Sequence, residues 1–443
     1  MKLLKMSEAR RVVITGYGLV SPIGNDPDSF WNALSNGKSG IDFLKRVPGG
    51  GIATNISGEA SDFTGEITDF GDLSKGQKRS IKRNKKVMCR EIEMGVAVAQ
   101  KSIQHAGIVV GEHDPDRTGV IYGSDYIMTE PYEFIEAIRK TVSEDGEFQF
   151  SEWAAKGIPN ITPLWLLKYL PNMPASHIAI YNDFRGTNNS ITLRESSANL
   201  AIGEAFCTIV RGKADTVVSG ATGTRIHPLR SMHVSLQEQL ATTESEPTTA
   251  SRPFDAGRSG LVIGEGAGAV ILEELEHAVH RGAQIYGEVV GYGSSTVISK
   301  SGIVDFEKSL VNSIRSVLRT SGEVPGNVGH VNAHGLSARK CDAGEARAIA
   351  GTLDTDDRKI PVIAPKSYFG NLGAGSGAVE LIGSLNCLAA GHLIKTLNYD
   401  TPDPGCPIHV VTDADTVSGD SFINLNVTPF GQASAVMVKR FVA

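Results

Sequence analysis

The chain predicts an α/β layered core built on a largely parallel sheet, and three features predict it. Short apolar runs rich in Val and Ile alternate along the length with segments of helical period. Many of those runs meet a glycine at or near their end, as tight strand-to-helix joints require, and the 49 glycines are enough to serve them. With 443 residues, 41% of them hydrophobic, the chain can bury one large core or two ordinary ones.

Bulk properties narrow the function. A net charge of -6 argues against a dedicated nucleic-acid binder. No apolar run approaches the length of a membrane span. The basic start, Met1-Lys-Leu-Leu-Lys5, precedes an apolar segment that glycines break and that lacks a small-residue cleavage site. That segment reads as a buried strand, and the protein as cytoplasmic. Cys89, Cys207, Cys341, Cys387 and Cys406 lie far apart, contain no CxxC pair and are odd in number, which points to reduced thiols.

Arg11–Val20 is a strand running into a glycine turn, and Asp26-Pro-Asp-Ser-Phe-Trp opens a capped helix. The Gly16–Gly24 region has neither GxGxxG nor GK[ST] spacing, so it is not a nucleotide loop. Residues 46–75 read as loop. Lys75–Lys86 is the one strong charge run: a solvated surface, or a docking patch for an acidic partner. A helix follows from Val87 to Ala106, with Met88, Ile92, Val96, Ala99 and Ile103 on one face. Thr118–Ser124 is a buried strand, residues 141–160 are polar, and Ile161–Leu170 reads as helical.

Asn189–Leu193 is a short strand. From Ser196 the period becomes helical, with Leu200, Ala201, Phe206, Ile209 and Val210 on the apolar face and Gly212 as the stop. The joint is Arg194-Glu195-Ser196, where unpaired backbone N–H groups and the helix dipole favour negative charge. Ala214–Thr222 is the next strand, and the glycine-rich Ser251–Gly268 runs into Val270–Leu275. His277 and His280 stand one helical turn apart without a companion ligand, so they read as a solvated face and not a metal site. Tyr286–Gly293 is a further strand.

Several of these segments resemble the β-ketoacyl-acyl-carrier-protein synthases of the thiolase-like superfamily. Gly186–Ala205 resembles the nucleophile segment, His330-Val-Asn-Ala-His-Gly335 the first histidine loop, and Ala364–Glu380 the second. Ser251–Gly268 and Phe422–Val438 match as well. The resemblance implies a thiolase-like five-layered α/β/α/β/α fold of two similar halves. Residues 1–280 would carry the nucleophile element and residues 281–443 the histidine and lysine loops. It also implies an acyl carrier protein as partner, substrates on its phosphopantetheine arm, no cofactor and no metal. A dimer is implied too, homo- or heterodimeric, the latter with a cysteine-bearing ketosynthase.

That family works with a cysteine that carries the acyl group and two histidines that stabilise an enolate. Here Glu195 matches the cysteine, His334 the first histidine, Asn371 the second, and Lys366 the lysine, with Glu345 and Glu380 as supporting acids. Leu336 and Ala338 replace two threonines that contact the phosphopantetheine arm. Thr428-Pro429 replaces a phenylalanine-glycine gate, and Thr428 and Phe430 are expected along the substrate tunnel.

A carboxylate cannot do the cysteine's work. An acyl group on Glu195 would be a mixed anhydride, uphill to form from a thioester, so ordinary condensation through a Glu195-bound chain is not expected. Three readings follow. The chain is a non-condensing partner, like chain-length-factor subunits, which usually carry glutamine at that position. It is an enzyme of altered chemistry, with Glu195 and His334 as acid and base. Or Glu195 merely complements the helix dipole or pairs with Lys366. The helix terminus, together with Lys366 or a protonated His334, is expected to keep Glu195 ionised against the opposing effect of burial.

Overall fold

The computed structural model describes residues 10–47 and 52–442, so the basic start at Met1–Lys5 lies outside the described residues. Strand β1 (Val12–Val20) is buried throughout. Gly18 lets a helix lie directly on it, since a Cβ there would come within 2.5 Å of the Val98 carbonyl oxygen. Helix α1 (Pro27–Ser35) starts as its sequence requires: Asp26 accepts from the Ser29 N–H at 2.9 Å, and Pro27 occupies the first turn. Two short strands follow, β2 (Ile41–Phe43) and β3 (Ile56–Gly58).

The strand β3 and a 3₁₀ turn at Ile67–Phe70 correct the expectation of loop over 46–75. Both are too short to show a period. The charge run forms helix α2 (Lys75–Asn84), closed by a Ser74–Gln77 capping box, with Ile81 alone buried. Helix α3 (Arg90–His105) begins three residues later than expected, after a 3₁₀ turn at Lys85–Val87. Next come β4 (Thr118–Ser124) and α4 (Tyr132–Arg139).

The helix expected at Ile161–Leu170 is absent, leaving a 3₁₀ turn at Trp165–Tyr169. Pro163 disfavours helical backbone before it, and Leu164 sits at φ 63, in the left-handed region. The first half continues with α5 (Met173–Asn182), β5 (Asn188–Thr192), α6 (Ser197–Val210), β6 (Thr216–Thr224), α7 (Pro228–Gln237) and β7 (Ile263–Glu274). Helix α8 (Leu275–His280), β8 (Gly287–Thr296), α9 (Phe306–Ser321) and β9 (His330–Asn332) follow. Then come α10 (Arg339–Leu353), β10 (Pro361–Ile363), α11 (Lys366–Phe369), α12 (Ser376–Ala390), β11 (His409–Val410), β12 (Ser421–Val427) and β13 (Gln432–Lys439).

Strand order repeats. It runs β1-β7-β6-β4-β5 in the first part of the chain and β8-β13-β12-β9-β10 in the second. Pairing senses repeat as well: the first two pairs are antiparallel and the next two parallel in each series. A short antiparallel contact of Val12–Ile14 with Gly287–Val289 joins the two sheets. Helices α6 and α12 lie between the sheets and touch strands of both, α3 and α5 cover one outer face, and α9 covers the other with α10 on it. These are the five layers expected.

The central core runs from Ile14 and Val270 through Ile202 and Leu381 to Phe422 and Val436. All five cysteines are free thiols. Among the described residues no helix is long and apolar enough to cross a membrane, and no cluster of His, Cys, Asp or Glu could hold a metal. His277 pairs with Glu273 at 2.5 Å.

Candidate active site

The predicted site residues converge because the parallel strands end together. Glu195 follows β5, His334 follows β9, Lys366 follows β10 and Thr428 follows β12, each within three residues of the strand's end. Carboxyl ends of strands are where α/β sheets place ligands. The same rule finds two residues that the sequence reading missed, Asp125 directly after β4 and Arg225 directly after β6.

Glu195 is only 1% exposed and sits in a chain of buried charges. Its Oε1 accepts hydrogen bonds from Arg225 Nη2 and, at 3.1 Å, from Asn371 Nδ2. Arg194 Nε lies 3.7 Å from Glu195 Oε2, and Arg225 Nη1 lies 3.4 Å from Asp125. Burial pushes the Glu195 carboxyl up, but Arg225 and then Arg194 outweigh it and hold it well below the usual carboxylate range. The expectation of an ionised Glu195 therefore stands, with different partners. Lys366 pairs with Glu380 and not with Glu195. His334 is not protonated, because burial and then Lys366 hold its imidazole well below its ordinary value.

His334 belongs to a second cluster. Lys366 Nζ lies 3.2 Å from His334 Nδ1 and donates to Glu380. Asn426 Nδ2 donates to Glu380 Oε2 at 2.8 Å and lies 3.4 Å from His334 Nδ1. Asn199, on α6, donates to Asn426 Oδ1 at 3.0 Å and so ties this cluster to the helix that Glu195 precedes. Glu345 braces the histidine loop by accepting from the His334 and Gly335 N–H groups at 2.6 and 2.8 Å. Burial pushes its carboxyl up to about 8. Asn371 accepts from the Gly373 N–H at 3.0 Å and from the Ser376 hydroxyl at 3.2 Å, which fixes its amide toward Glu195.

Leu336 and Thr428 are buried and line a groove with Ala338, whereas Phe430 is 44% exposed and lies outside that lining. Phe430 instead covers Arg194, its ring centroid 5.4 Å from the guanidinium. Asn426 and Glu238 were also missed; nothing in their sequence spacing marks them.

Similarity to known proteins follows the same lines. Residues 9–278 match the model of the β-ketoacyl synthase N-terminal domain, and residues 286–400 that of its C-terminal domain. The chain is 33% identical over 415 residues to 3-oxoacyl-[acyl-carrier-protein] synthase 2 of Synechocystis sp., covering 94% of this chain and 92% of that protein. The solved ishigamide ketosynthase/chain length factor superposes with a TM-score of 0.80 at 22% identity, over 98% of this chain and 100% of that one. A type II polyketide synthase acyl-carrier protein in complex with its ketosynthase, bound to the hexaketide, gives 0.80 at 24% identity with the same coverage. The two structural likenesses speak to fold; the sequence match, over nearly the whole length, shows that the chain belongs to the β-ketoacyl synthase family.

Proposed function

We propose that this chain is a non-condensing member of the family. In this reading it acts as the partner of a cysteine-bearing ketosynthase in fatty-acid or polyketide synthesis, with Glu195 at the nucleophile's position. The observation that carries the reading is the buried Glu195–Arg225 pair, braced by Arg194 and Asn371. A general acid or base works best with a pKa near the operating pH. A carboxylate locked far below that range, between two arginines, is poor at either task, which favours the partner reading over altered acid–base chemistry.

Four further features support the reading. The structural likeness to a ketosynthase/chain length factor is one. The edge strand β5 is largely exposed and among the described residues pairs only with β4, leaving an edge on which a second subunit can add. The Lys75–Lys86 charge run, on helix α2 and the 3₁₀ turn after it, is mostly exposed, a surface of the sign an acidic acyl carrier protein would seek. The repeated strand order suits a division into residues 1–280 and 281–443. A cytoplasmic location goes with this reading, as it does with a phosphopantetheine-borne substrate and no cofactor of the chain's own.

Reconstitution tests it. A cysteine-bearing ketosynthase from the same source, malonyl-loaded carrier protein and this chain should together form ketoacyl product, and this chain with carrier protein alone should form none. Product from the chain alone would sink the proposal.

A further inference from the structure

Arg194 stands beside Glu195 and is held by two residues that line a surface groove. A groove of about 510 Å³ is lined by Leu336, Ala338 and Thr428 together with Gln237 and Glu238. Arg194 is tied to Gln237 and Glu238 of that lining and is only 6% exposed. Its Nη1 donates to Gln237 Oε1 at 2.7 Å and its Nη2 to Glu238 Oε1 at 3.1 Å. The exposed Phe430 ring covers its guanidinium. Its Nε is buried without a hydrogen-bond partner and lies 3.7 Å from Glu195 Oε2. The Arg194 backbone sits at φ 49, a left-handed conformation that a residue with a side chain keeps only where its surroundings hold it.

We propose that Arg194 is a specificity-determining latch: clamped by Gln237 and Glu238 under Phe430, it closes the groove short of Glu195 and His334. This rests on the reading of the chain as a non-condensing family member, and it names the group that shuts the site. A narrow arm entering the groove would stop at the latch, and its end would not reach the His334–Lys366–Glu380 cluster. Both clamping residues lie at one end of α7, Gln237 being its last residue and Glu238 the next. Movement of that one helix end would therefore release the guanidinium.

Carbethoxylation by diethyl pyrocarbonate, mapped peptide by peptide, tests the latch. In the unaltered protein His334 should resist while the exposed His277 and His280 react. In Arg194→Ala, His334 should react at least tenfold faster. His330, equally buried and bonded to the Ser418 carbonyl, should stay unreacted and so rule out general loosening. Should Arg194→Ala fail to fold, Glu238→Gln removes the charged half of the clamp and should give the same selective gain, and Arg194→Lys should keep most of the protection. Unchanged labelling of His334 in the folded variants, or an equal gain at His330, would overturn the proposal. Labelling needs no carrier or partner protein, so a failed reconstitution and a failed latch are told apart.

Discussion

At the scale of single residues, the site is decided by which cation meets which carboxylate. Breaking a buried ion pair by removing one partner costs about 3–5 kcal/mol, because the other charge stays buried and uncompensated. Glu195→Ala, which leaves Arg225 facing the more distant Asp125 at 3.4 Å, should lower the unfolding free energy by up to that amount in denaturant titration, and adding Arg225→Met should recover part of it. The two losses summing independently would show that the pair is not coupled. Chemistry follows the same charge. An ionised Glu195 opposes a malonyl carboxylate held nearby, so in the Arg194→Ala background, where the latch is open, adding Glu195→Gln should raise carbon dioxide release from malonyl-carrier protein, roughly tenfold or about 1.4 kcal/mol of barrier. Glu195→Cys alone should form no ketoacyl product, since Leu336, Ala338, Asn371 and Thr428 remain and Arg194 still stands before it. Product from that single variant would show that only the nucleophile had been lost. Glu195, Asn371, His334, Lys366, Glu345 and Glu380 were legible because each sits in a motif-bearing stretch. Arg225 was not: it lies 30 residues from Glu195, past the predicted end of its strand, and only folding reveals the pair.

At the scale of elements, burial of a polar side chain within a strand has a pH signature. His330 opens β9, is fully buried, donates from Nδ1 to the Ser418 carbonyl at 2.8 Å and stacks on Phe422. Burial holds its imidazole down at about 4, against 6.5 unfolded. The unfolded chain therefore binds the proton first, so stability from a neutral His330 is present above pH 6.5 and is lost as pH falls toward 4. Between pH 7.5 and 5 the loss should be about 2 kcal/mol relative to His330→Asn, whose own stability lacks this dependence. Parallel pH profiles of the two proteins would refute it. Sequence period found α3 and α6, where a buried face repeats often enough to be seen, but left α9 and α10 unread. It missed β3 and overcalled Ile161–Leu170, where three residues carry no period and a proline breaks the turn.

For the whole molecule, the open edge of β5 bears on assembly. Sedimentation at micromolar concentration should show a species of about twice 47.1 kDa, for the chain alone or with a ketosynthase partner. A 47.1 kDa species under both conditions would count against it. The sequence by itself determined the alternation of strands and helices, the family, the segments that meet at the candidate site and the presence of a carboxylate, Glu195, in one of them. These are local matters, set by period, glycine placement and motif. Only the tertiary structure decided what that carboxylate does. Lys366, one of the partners offered for it, went to Glu380, and Arg225 and Arg194 took its place, because side chains from the ends of β5 and β6 come together in a dry interior. There a charge must find its counter-charge across the fold, whatever its distance along the chain.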